Sequence, residues 1–266
     1  MTVTAMSPTG HFWRFAVRVT PTITLTAALL LFWEISVTLA GVPLYIVPVP
    51  SQIASRFIED FASTIILPHL WTTFTEVIGG FFLAAILGII LGVIVGLSPF
   101  FDRLLHPLIL GFQSVPKVAL APLIVLWFGF GLQSKIVMAA IIAFYPVLAN
   151  VVVSLKSEDS QRILLMRALR ANSMQTFVKL RLPSMLPVLF AGLEVALVFA
   201  IIGAIVGEFL GSSTGLGSVI LQRQAAVDVS GVFSVLILLS LMGIILAGFL
   251  KVIAHRVAFW AYKPLP

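Results

Sequence analysis

Cysteine is absent from this chain, and acidic residues are scarce, ten among 266. The first absence excludes disulfides, thiol nucleophiles and cysteine metal ligands. The second excludes a water-facing globule, because a chain that is 60% hydrophobic and 10% charged has too few charges to cover a soluble surface. The four histidines (His11, His69, His106, His255) are too scattered for a metal cluster. No Ser/His/Asp or paired-carboxylate constellation is visible, so neither a catalytic nor a metal site is expected in this chain. The phosphate loop G-x-x-x-x-G-K-S/T is also missing, so ATP hydrolysis, where it drives this protein, belongs to another polypeptide.

What the chain has is hydrocarbon. Its mean hydropathy is +1.15, and six windows approach the roughly 20 apolar residues that cross a bilayer. They run from Pro21 to Gly41, Thr75 to Leu97, Leu105 to Phe128, Ser134 to Leu155, Pro187 to Leu210 and Val232 to Ala254. The expected fold is therefore all-α, a polytopic membrane protein of about six transmembrane helices in one domain, 1–266. The N-terminal stretch resembles a signal peptide, with Arg14 and Arg18 before an apolar run. That run is long and lacks an A-x-A cleavage pattern, so it is expected to persist as the first span. The third window is broken by Gln113, Pro116, Lys117 and Pro122, which predicts a kinked helix packed inward.

Charge sets the orientation. Twelve of the sixteen basic residues fall on one side if the six spans alternate, and only Arg56, Lys135 and Arg223 fall on the other. The net charge of +6 thus reflects the positive-inside rule and not nucleic-acid binding. Both termini and the segment from Lys156 to Pro187 are expected on the cytoplasmic side. That segment holds Lys156, Arg162, Arg167, Arg170, Lys179 and Arg181. Its first half, Asp159 to Leu169, reads as one short helix, and Asn172 or Ser173 is placed to cap a second that Pro183 stops. Such a hairpin suits docking to a soluble partner, or lying on anionic lipid.

Small residues recur every four positions at Gly80, Ala84, Gly88, Gly92 and Gly96, and again at Gly203, Gly207 and Gly211. This spacing makes a groove for another backbone, within the chain or between copies. Between the first two spans, Ile53, Phe57, Ile58 and Phe61 share a helical face after Ser51, a candidate N-cap, and predict an interfacial helix. Charges inside spans mark pathways or structural pairs. Lys117, between Pro116 and Pro122, is the leading path candidate. Glu194 is expected to pair with a loop cation, Glu208 to reach water near the end of its span, and Glu34 and Glu76 to be structural.

The stretch from Leu164 to Pro187, with Ala191-Gly192-Leu193 and Gly203-Ala204-Ile205-Val206-Gly207-Glu208-Phe209, resembles the inner-membrane permease subunit of binding-protein-dependent ABC importers. It is most similar to the nitrate, sulfonate, taurine and pyrimidine-precursor group. Further support lies in Ser114 to Leu123, in Leu126-Trp127-Phe128-Gly129-Phe130-Gly131 and in Thr214-Gly215-Leu216-Gly217. The family's cytoplasmic motif is E-A-A, three residues, G, nine residues, I-x-L-P. Aligned on Leu182 and Pro183, its E-A-A falls on Leu164, Leu165 and Met166, its glycine on Arg170 and its isoleucine on Leu180. The L-P end is kept, whereas the acidic start and the glycine are not.

The resemblance implies a type I ABC importer permease in a bacterial inner membrane, with a coupling loop at about 156–186. It further implies a second permease copy as a homodimer, two ATPase subunits that hold ATP and Mg, an external substrate-binding protein, and a small polar or anionic solute. Within such a permease, the intramembrane positions Lys117, Pro116, Pro122 and Glu194, singled out above by charge and proline inside the spans, are the expected path residues. The alternative is a secondary transporter or channel that works without an ATPase.

Overall fold

Backbone polar groups find no partner in hydrocarbon, so apolar runs of this length fold as helices that satisfy their own hydrogen bonds. A computed structural model of the chain describes residues 9–43 and 45–261, with side chains from Thr20 onward. Arg14, Arg18 and Lys263, which enter the charge count, and His11 lie outside those described side chains. All regular structure among the described residues is helical. In chain order the helices are α1 (Thr9–Leu39), α2 (Pro50–Ala62), α3 (Ile66–Leu97), α4 (Pro99–Ser114), α5 (Ala121–Phe128), α6 (Leu132–Lys156), α7 (Ser160–Ala168), α8 (Ser173–Thr176), α9 (Leu182–Phe209), α10 (Leu216–Ala225) and α11 (Val229–Val257).

Five segments are long and apolar enough to span a membrane: Thr20–Leu39, Ile66–Leu97, Leu132–Lys156, Ser173–Phe209 and Val229–Val257. The sixth is the predicted broken one. α4 and the segment Lys117–Phe128 meet at an 85° bend, with a 3₁₀ turn at Lys117–Leu120 ahead of α5. The kink therefore forms, but α4 is not packed inward. None of its residues is buried, and only Ala121 and Ile124 of α5 enter a core, with Met138 and Ile142 of α6.

Two compact units emerge, one of residues up to Ser63 with Arg223–Ser234, the other of Thr64–Gln222 with Val235 onward. The larger is built around α6. A Cβ added at Gly88 would stand 2.8 Å from Val147 Cβ, and one at Gly92 would stand 2.7 Å from Val151 Cβ. At Gly96 it would meet Leu155 at 2.8 Å, and at Gly80 it would strike Ala139. Contacts that advance together along both helices mean that α3 and α6 run parallel. The chain between them must then return across the same thickness, which makes the bent α4–α5 segment a crossing.

Between α6 and α9 the contacts run in reverse. Gly192 lies against Asn150, Gly203 against the Ala139 backbone and Gly207 against Lys135, so α9 is antiparallel. The small-residue stripes are thus seams within one chain. Gly211 sits past the end of α9, at φ +107, with Phe130 as its neighbour. α11 joins this bundle where Gly243 faces Ile201 of α9.

In the smaller unit, α2 forms as expected, but its faces differ from the prediction. Ile53 and Asp60 are buried, while Ile58 is 66% exposed. Val49, not Ser51, occupies the N-cap, because Pro50 starts the helix and frees Ser51 to donate its N–H and hydroxyl to Glu34, at 3.0 and 2.7 Å. Asp60 accepts both terminal nitrogens of Arg223, at 2.7 and 2.5 Å, and the Ser234 hydroxyl at 2.5 Å. Arg56 bridges Glu59 and Asp228 beside it. Burial alone would push the Asp60 carboxyl up, but the hydrogen bonds from Arg223 and Ser234 and the guanidinium charges outweigh it and hold Asp60 below its ordinary value.

Three outcomes follow. Gly203→Ala, which drives a methyl into backbone 2.6 Å away, should lower unfolding stability in detergent by about 1–3 kcal/mol. Gly111→Ala, with nothing within 4 Å, should be neutral or stabilising by up to about 1 kcal/mol. Asp60, depressed in the folded state, stabilises above its ordinary value of 3.8 and loses that contribution as pH falls through the folded value. The stability gap between the natural chain and Asp60→Asn should therefore shrink when unfolding is followed from neutral to about pH 3.

Candidate coupling loop and translocation path

The basic loop folds as a capped hairpin. Asp159 accepts the Gln161 N–H at 2.9 Å and starts α7. Asn172 and Gln175 exchange side-chain and backbone hydrogen bonds as a capping box that starts α8. Between them the Ala171 N–H donates to Met166 O and the Arg170 N–H to Arg167 O, the two bonds of a Schellman turn. That turn requires a left-handed residue, which is Arg170, at φ +53. The family's glycine position thus keeps glycine's backbone conformation while carrying an arginine.

Pro183 does not stop the second helix. Phe177–Arg181 forms a π-turn in which the Leu182 N–H reaches back to Phe177 O, and the chain runs on into α9. The widened turn accommodates the ring of Pro183, whose missing N–H and clash with the preceding turn would otherwise break an α-helix. Of the motif-aligned residues, Leu164 and Leu165 are each 59% exposed and Met166 is half-buried. Arg170 is exposed, while Leu180, Leu182 and Pro183 are half-buried around the π-turn. Leu169 and Met174, each 68% exposed, extend the apolar surface of the hairpin.

The path candidates do not come together as a charged site. Lys117 Nζ donates to Gln113 O at 3.2 Å and lies 5.6 Å from the centre of the Phe112 ring, so its charge is held by its own turn. Pro116 and Pro122 are exposed beside it. Glu194 is half-buried on α9. Among the described residues neither Lys117 nor Glu194 forms a salt bridge. The expected pairing of Glu194 with a loop cation is thus not seen, and one of those cations, Arg181, pairs instead with Glu158 at 2.9 Å.

A polar cluster that the sequence did not announce lies at the opposite end of the bundle. Lys135, counted on the outer side at the start of its span, is 5% exposed in the first turn of α6. Its Nζ stands 3.4 Å from Glu76 and donates to Ser212 at 2.6 Å. Glu208, expected to reach water, is fully buried. It accepts the Thr73 hydroxyl at 2.6 Å and the Gly217 N–H. The Leu216 N–H donates to Thr73 Oγ1 at 2.8 Å and the Gly215 N–H to His69 Nδ1 at 3.1 Å. Three successive N–H groups at the start of α10 are thereby held by side chains of α3 and α9. Only the Thr214-Gly215-Leu216-Gly217 pattern hinted at this; nothing local distinguishes Thr73 or Lys135.

Residues 84–259 match the model of the family described as binding-protein-dependent transport system inner membrane component. The chain belongs to this family. It is 35% identical over 235 residues to the formylaminopyrimidine transport permease protein ThiX of Halalkalibacterium halodurans, covering 88% of this chain and 93% of that one. It is 38% identical over 226 residues to the riboflavin transport system permease protein RibX of Chloroflexus aurantiacus, covering 84% of each. To the taurine transport system permease protein TauC of Escherichia coli it is 27% identical, covering 93% of this chain and 92% of that one. In fold it is similar to a chain of the inward-facing MetNI methionine ABC transporter, with a TM-score of 0.64 at 22% identity, covering 76% of this chain and 99% of that one. As an inner-membrane component of this family, the chain carries its basic hairpin and broken crossing within the matched region.

Replacing Arg170 by glycine, which takes φ +53 without strain, should raise stability by about 1 kcal/mol in detergent unfolding. Replacement by a β-branched valine should lower it.

Proposed function

We propose that this chain is the membrane-spanning permease subunit of an ABC importer that moves a small polar or anionic solute inward. The observation that carries this reading is the family match together with a capped basic hairpin that exposes Leu164, Leu165, Leu169 and Met174. Apolar side chains on a cationic loop suit burial against a soluble partner better than exposure to water. The chain has no phosphate loop, so ATP and Mg belong to two separate ATPase subunits, and the hairpin with Arg170, Leu180, Leu182 and Pro183 is where they dock.

The charge asymmetry supports an orientation with both termini and the hairpin in the cytoplasm of a bacterial cell. A second copy pairs with the first as a homodimer. The exposed residues around Lys117, Pro116 and Pro122, with Glu194, then face a central path, and an external binding protein delivers solute to its mouth. ATP-driven closure of the ATPases shifts the hairpins and rocks the helix sets between inward and outward openings. Formylaminopyrimidine, riboflavin and taurine, named for the relatives, support a small polar or anionic solute.

Co-purification with the cognate ATPase tests the reading. Leu165→Glu with Leu169→Glu, or deletion of Arg181-Leu182-Pro183, should abolish association while the helical content of the chain is retained. Uptake of taurine, nitrate or riboflavin by the isolated chain in ATP-free liposomes would overturn it in favour of a secondary transporter.

A further inference from the structure

The hairpin is joined to α9 by a second connection besides the chain itself. Glu158 lies just past α6, and Arg181 closes the π-turn ahead of α9. Arg181 Nε donates to Glu158 Oε2 at 2.9 Å, and the Glu158 side chain is 5% exposed. Its other oxygen, Oε1, is buried without a hydrogen-bond partner. A carboxylate this enclosed depends on the one guanidinium beside it, and an apolar pair of similar volume would serve stability as well. Its neighbour in sequence, Lys156, makes a more exposed pair with Asp102 at 2.6 Å, of the kind that contributes little to stability.

The π-turn at Phe177–Arg181 is the soft point between hairpin and span, because its hydrogen bonds are longer-range and its geometry less favoured than that of an α-helix. The pair, with its carboxylate enclosed and its guanidinium partly exposed, crosses this turn from the far side of the hairpin. We propose that Glu158 and Arg181 are positioning residues that lock the π-turn, so that the hairpin and α9 move as one lever. Displacement of the hairpin then reaches α9 instead of being absorbed where the helix is weakest. This inference rests on the ATPase docking proposed above.

The absence of native cysteine makes the test direct. Cysteines introduced at exposed Gln161, on α7, and Val195, on α9, carry spin labels. The full labelled chain, diluted with unlabelled chain, is purified with its ATPase subunits, and the distance is measured before and after trapping with MgATP and vanadate. The natural pair should give one narrow distance in both states. Glu158→Gln should broaden it after trapping, Arg181→Lys should do the same, and Glu158→Arg combined with Arg181→Glu should restore it. A purely structural role would reduce the amount of assembled complex without broadening the distance in what remains, and would overturn the inference. ATPase bound normally to Glu158→Gln with an unchanged narrow distance would overturn this inference alone. An ATPase that does not bind even the natural chain would overturn the functional reading and this one with it.

Discussion

Within a bilayer, helices gain little from leaving lipid for one another, so their association depends on how closely atoms can approach. Here that approach is set by α6. Val147, Val151 and Ala139 press where α3 has Gly88, Gly92 and Gly80, and the Ala139 backbone lies where α9 has Gly203. A side chain at any of these positions would hold the helices apart. Because both neighbours meet α6 through missing Cβ atoms, its axial position is defined, and everything attached to its two ends takes its place from that.

At one end this brings Lys135 into contact with Glu76 and Ser212. Buried charges in this setting are costly without partners. Lys135 has Glu76 and Ser212, and Glu208 has Thr73 and the Gly217 N–H, while the Glu76 oxygens accept no hydrogen bond among the described residues and face the Lys135 charge. The same cluster binds the first N–H groups of α10 through His69, Thr73 and Glu208. Gly215, at φ +101 with the Glu208 carboxylate against it, has room for no side chain. A motif that reads in sequence as a simple glycine-rich turn is therefore a seat for a buried carboxylate.

At the other end α6 delivers the chain to the hairpin, with Glu158 held against Arg181. The hairpin is short and mostly exposed, and its order comes from local devices: an Asp159 cap, an Asn172 capping box and a Schellman turn. Arg170 adopts the left-handed conformation that the turn demands, which shows that turn geometry can survive the loss of its preferred residue. The proposed docking of ATPase subunits asks for such a surface, firm enough to be pushed and apolar enough to bind.

Much of this was legible beforehand. Helical class, the crossings and the broken third span follow from runs of apolar residues and from prolines, because in hydrocarbon the backbone has no other way to satisfy itself. The Asn172 cap of the hairpin and the small-residue stripes were also visible, since each is written within a few neighbouring positions, whereas Arg170 stood out only through the family's glycine position. What tertiary structure alone decided involves residues far apart in the chain. It turned the glycine stripes inward on α6, buried Lys135 and Glu208, paired Arg181 with Glu158 while leaving Glu194 without a salt bridge among the described residues, and left α4 without a buried face. Sequence determines what each segment can form; which side chains share a low-dielectric interior depends on how helices pack, and no local pattern carries that information.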